Sequence, residues 1–66
     1  MELKTALNQG AEILEKASIP VPRLTAEVLL CHALQRDRAF LYAHSDDELT
    51  ELAWIHYGRY LNERLK

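Results

Sequence analysis

Pro22 to Leu34 reads as a single helix with apolar residues on two of its sides. Ala26, Leu29, Leu30, Ala33 and Leu34 recur at three- and four-residue spacing and form its main face. Leu24, Val28 and Cys31 line up on nearly the opposite side, with Glu27 between the faces on one flank and Thr25 and His32 on the other. A helix apolar on two sides is usually internal. The rest of the chain must therefore fold around it. The expected arrangement puts the first and last helices on the main face. The Leu24/Val28/Cys31 side then packs on a short third helix or receives a partner. The fold class that follows is all-α: a small bundle of about four helices around a central, two-sided apolar helix.

The flanking segments supply those helices. Leu3, Ala6, Leu7, Gly10, Ile13, Leu14 and Ala17 make one apolar stripe on an amphipathic first helix. Glycine inside a helix costs about 1 kcal/mol against alanine, so Gly10 is expected to admit a close neighbour. No good N-cap precedes Leu3, and the first turn is expected to fray. Pro20 and Pro22 end the pattern and bias the residues before them toward extended geometry. One Pro-x-Pro pair is too short for a recognition motif and reads as a rigid turn. Pro22 suits the first turn of the next helix. Asp37 is the expected N-cap of a short helix through about Ala43, and Thr50 that of the last helix. Leu49 and Trp54 have the spacing of a hydrophobic staple. Trp54, Tyr57, Gly58, Leu61 and Leu65 share a face of the last helix. Trp54 is expected to be largely buried against the first and second helices.

Size and charge limit what such a bundle can do. With 66 residues the chain is one domain at most, of modest stability unless a neighbour supports it. A formal net charge of −2 argues against a general nucleic-acid binder. It also opposes a helix-turn-helix reading, for which no basic recognition helix exists. No apolar run approaches the roughly 20 residues needed to cross a bilayer, and Met1-Glu2-Leu3-Lys4 lacks a signal-peptide layout. A single cysteine forms no internal disulfide, and a reducing cytoplasm is the simplest setting. The chain stops at Arg64-Leu65-Lys66 without glycine or proline, as expected of a piece of a longer protein.

A search for chemistry finds no catalytic, cofactor-binding or metal-binding residues to name. Cys31 and His32 are adjacent and diverge by about 100° on a helix, and the three histidines have no metal-site spacing. Cys31, among Val28, Leu30 and Leu34, reads as a small packed apolar group. Glu27 lies four residues after Arg23, which suits an ordinary helix-surface pair. No glycine-rich loop follows a strand, so no phosphate or adenosyl cradle can be drawn. Arg36 and Arg38 flank Asp37 beside Phe40 and Tyr42. Scattered surface arginines are common, and a solvated face accounts for them by default. An arginine-aromatic cluster at an exposed helix start is the functional alternative. It makes Arg36, Arg38 and Tyr42 the candidate partner-binding residues.

The order Pro22-Arg23-Leu24, Ala26-Glu27, Leu29-Leu30 and His32, followed by Arg38-Ala39-Phe40-Leu41-Tyr42-Ala43-His44, resembles the N-terminal domain of the HemK/PrmC methyltransferases. Those enzymes methylate a glutamine in the Gly-Gly-Gln loop of peptide chain release factors. The resemblance implies an all-helical substrate-recognition domain spanning residues 1–66 and inactive by itself. Its implied partners are the release factor and the protein's own catalytic domain, with neither nucleic acid nor membrane. It implies that the parent enzyme uses S-adenosylmethionine, bound by a Rossmann-like domain with an Asn-Pro-Pro-Tyr motif that is absent here. Three features depart from the family pattern. Val21 stands where Ser or Asp often caps the helix, a loss of about 1 kcal/mol. Thr25 replaces a frequent Asp, and Gln35-Arg36 replaces a usual glycine, so the turn into Asp37 is expected to differ. The alternative function is a free-standing helical interaction adaptor or regulator.

Overall fold

The structure, a computed structural model, describes residues 1–66. Four helices follow one another: α1 (Leu3–Lys16), α2 (Pro22–Leu34), α3 (Arg38–Ala43) and α4 (Glu51–Leu65). There is no sheet, only an isolated antiparallel bridge between Glu2 and Glu48. The chain is a small all-α bundle, and α2 is its centre, packed on each of the other three helices.

The main face of α2 is where the sequence places it. Ala26 and Leu30 are fully buried, and Leu29, Ala33 and Leu34 pack partly buried against the same core. Leu3, Ala6, Leu7 and Leu14 of α1 meet them, with Leu41 of α3 and Ala53, Tyr57 and Leu61 of α4. The second apolar side is only half covered. Cys31 is buried, whereas Leu24 and Val28 are each 43% exposed. With six residues, α3 is too short to roof the whole side.

The expected caps of α3 and α4 are present. The Asp37 carboxylate accepts from the Phe40 amide at 2.9 Å, and the Thr50 hydroxyl from the Ala53 amide at 3.2 Å. The first turn of α1, expected to fray, is held instead by the loop between α3 and α4. The amides of Leu3 and Lys4 donate to the carbonyls of Asp47 and Ser45 at 2.9 and 3.0 Å. Lys4 pairs with Asp46 at 2.7 Å, and the terminal amine with Glu48. Backbone carbonyls more than 40 residues downstream thus do the work of an N-cap side chain, which local sequence does not reveal.

Two helix ends use left-handed residues that are not glycine. Ser18 has φ 62°, and the amides of Ser18 and Ile19 close onto Glu15 and Leu14 at 3.0 Å each. Gln35 has φ 56°, and the amides of Gln35 and Arg36 close onto His32 and Cys31 at 3.3 and 3.1 Å. Both are Schellman endings. The turn after α2 therefore keeps a glycine-type geometry with glutamine in the glycine position.

Val21 departs from expectation. The residue before Pro22 was expected to be extended, yet Val21 is left-handed, with φ 43° and ψ 60°. The chain must reverse within a few residues to lay α2 against α1, and Ser18 and Val21 together make that reversal. A β-branched residue is costly in this region. Val21→Asn, whose side chain is exposed and whose type tolerates the conformation, is expected to raise stability by about 1 kcal/mol. The urea midpoint measures it, and an unchanged or lower midpoint would refute the strain.

Candidate partner-binding site

Asp37 sets the site by fixing where α3 begins. Arg38, the first residue of α3, then projects back over α2. Its Nε donates to Glu27 Oε1 at 3.0 Å and its Nη2 to the Tyr42 hydroxyl at 3.0 Å. The Tyr42 hydroxyl donates to the same Glu27 oxygen at 2.6 Å, closing a three-residue ring of hydrogen bonds. Tyr42 follows Arg38 by four residues, so one turn of helix brings them together. Glu27 is 7% exposed and is the one buried charged residue of the domain. A carboxylate at such depth requires a charged partner, and Arg38 supplies it. The hydrogen bond to Tyr42, then the electrostatic interaction with it and the Glu27 carboxylate, raise the Arg38 guanidinium above its ordinary range.

This ring corrects the expected pairing of Glu27 with Arg23. Arg23 points to the other flank and donates to Asn8 Oδ1 of α1 at 2.8 Å. Helical spacing permits the Arg23 pair. The packing of α3 on α2 puts Arg38, eleven positions along the chain, closer.

Of the three candidate residues, Arg38 and Tyr42 are joined directly. Arg36 lies beside them with its guanidinium over the Phe40 ring, 4.8 Å from the centroid. Phe40 stacks in turn on His44 at 4.2 Å, and His44 Nδ1 meets Asp47 at 2.7 Å. The exposed surface of α3 is thus an arginine-aromatic ladder anchored on a buried carboxylate. Glu27 is the member that sequence reasoning missed in this role. Its place on the edge of a two-sided apolar helix was the available signal.

Burial, then the Glu27 charge, push the Cys31 thiol up, while Arg38 opposes them. A thiol held protonated in this way is a poor nucleophile. No three His, Cys, Asp or Glu side chains gather as a metal site. Gly10 and Gly58 both lie inside helices, so neither opens a loop that fits an adenosyl cofactor. No helix is long and apolar enough to cross a membrane.

Fold and site together define a small all-α module with one ordered arginine-aromatic face. The sequence profile of the PrmC N-terminal domain matches residues 5–66, and the chain belongs to that family. It is similar to a release factor glutamine methyltransferase of Koribacter versatilis (strain Ellin345), 46% identical over 50 residues. Those residues make up 76% of this chain and 18% of that relative, so the chain spans under a fifth of the relative's length. No solved structure matches the chain.

Proposed function

We propose that this chain is the release-factor recognition domain of an S-adenosylmethionine-dependent protein glutamine methyltransferase. In this reading residues 1–66 bind the release factor and hold it for a catalytic domain elsewhere in the protein. That domain methylates the glutamine of the Gly-Gly-Gln loop. The helical domain makes no covalent change itself, and the working place is the cytoplasm. The observation that carries the reading is family membership across residues 5–66, supported by the name of the Koribacter relative. The contact residues in this reading are Arg36, Arg38 and Tyr42. Tyr42 is 55% exposed, and the Arg38 side chain 53%, so both reach solvent while the Glu27 ring keeps them ordered. Side chains ordered before contact lose less entropy on binding.

A peptide chain release factor titrated into the isotope-labelled domain tests this. The amides of Arg36 to Tyr42 are expected to shift, with the weak affinity of a small surface carrying few anchors. Absence of shifts at high concentration, while a protein that includes a catalytic domain binds the same factor, would remove the recognition role.

A further inference from the structure

Beside the Arg38 ring lies a hollow of about 360 Å³. α2 contributes Val28, Cys31 and His32, the turn after it Gln35, α3 Arg38 and α4 Tyr60. A guanidinium has five N–H donors. Arg38 directs one to Glu27 and one to Tyr42, which leaves three N–H groups without a partner in the chain, on a side chain that lines the hollow. Gln35 and Tyr60 add neutral polar groups, and Val28 and Cys31 an apolar patch. No carboxylate lines the hollow. Glu27 faces the ring, and the Asp37 carboxylate caps the Phe40 amide. The hollow therefore presents the spare N–H donors of a guanidinium paired with Glu27, neutral polar groups and a place for a short hydrocarbon stem.

We propose that this hollow receives an aspartate or glutamate side chain of the protein on which the domain docks, its carboxylate paired with the free N–H edge of Arg38. The partner is the release factor, so the inference rests on the function proposed above. The chemistry favours a single carboxylate over a nucleic-acid strand. Polyanion binding draws on several neutralised phosphates at once. Here one guanidinium stands between two acidic residues on a chain of net charge −2. A pre-oriented arginine fork at a shallow hollow suits one planar carboxylate.

Val28 gives the test, because it is 43% exposed and takes no part in the Arg38 ring. Val28→Glu places the chain's own carboxylate in the hollow as an internal competitor. Val28→Gln has the same size without the charge. Both variants are compared with the parent for release-factor affinity by calorimetry, with dispersed amide spectra confirming the fold. Val28→Gln is expected to lose only the apolar contact with the stem, and Val28→Glu to weaken binding about tenfold or more beyond that loss. Equal losses in both, or none in either, would overturn the carboxylate while leaving release-factor docking intact. A parent chain that fails to bind the factor would remove the docking reading and this inference with it. Binding of a single-stranded RNA oligonucleotide that Val28→Glu abolishes would assign the hollow to phosphate and also overturn the proposal.

Discussion

Gly10→Ala is expected to lose most of the stability of this domain. Gly10 is buried on α1 where α4 crosses it. The Tyr57 hydroxyl lies over it and donates to the carbonyl of Ala6 at 3.1 Å. A Cβ at position 10 would fall inside the Tyr57 hydroxyl and stand 2.7 Å from its Cζ. The obstacle is the tip of a fully buried ring, which has no open space to swing into. Alanine in a helix returns about 1 kcal/mol of propensity, but overpacking a tight core costs about 1–3 kcal/mol and sometimes more. With a backbone on one side and a fixed ring on the other, the upper part of that range applies. A domain this small holds only about 3–5 kcal/mol in all. Thermal and urea melts of Gly10→Ala should show a transition near or below room temperature.

Tyr57→Phe supplies the internal control. In the parent it removes one hydrogen bond and should cost about 1 kcal/mol. In the Gly10→Ala background it removes the nearer of the two colliding atoms and leaves Cζ at 2.7 Å, so it should relieve part of the clash and stabilise instead. That reversal of sign is a coupling that only direct contact produces. If Tyr57→Phe lowers stability equally in both backgrounds, the close approach of α1 and α4 at Gly10 is wrong. Gly58, the other glycine, has nothing within 4 Å of where its Cβ would stand, and the same argument gives it no such penalty.

The position of Gly10 on the apolar stripe was enough to expect a close approach there. The stripe does not say which side chain comes close, because that depends on the angle at which α4 crosses α1. The same limit explains Glu27. Its spacing from Arg23 was visible in the chain, but its partner Arg38 lies on another helix. Local caps were legible, since Asp37 and Thr50 act on amides three residues away. The α1 cap was not, because its acceptors are carbonyls of residues 45 and 47, which any side chains would provide. For the candidate site, the cluster of Arg36, Arg38 and Tyr42 could be named from sequence. The buried carboxylate that orders it could not.

The last helix shows how one position of rotation changes an energetic expectation. Trp54, Tyr57 and Leu61 fit one helical face, but so do Ala53, Tyr57 and Leu61. Periodicity alone does not choose between them. The structure buries the second set: Ala53 is 5% exposed, Tyr57 0% and Leu61 6%, while Trp54 is 38% exposed. Packing explains the choice. The small Ala53 fits the close contact with α2, and Gly10 makes room for a phenol that an indole would overfill. Trp54 is displaced to the rim, 6.2 Å from the Tyr57 ring, so the expectation that Trp54 anchors the core is corrected. Tyr57→Ala opens a cavity lined by α1 and α2 and strips a hydrogen bond, and should cost about 3–5 kcal/mol. Trp54→Ala removes a half-exposed ring whose place water can take, and should cost about 1–2 kcal/mol. Urea titrations of the two variants decide the matter: Tyr57→Ala should be unfolded without denaturant, and Trp54→Ala should keep a cooperative transition at a lower midpoint. Equal losses, or a greater loss for Trp54→Ala, would place the indole in the core and turn α4 by one residue. Such a turn would also move Tyr60 off the Arg38 hollow, so the same pair of melts bears on the proposed docking surface.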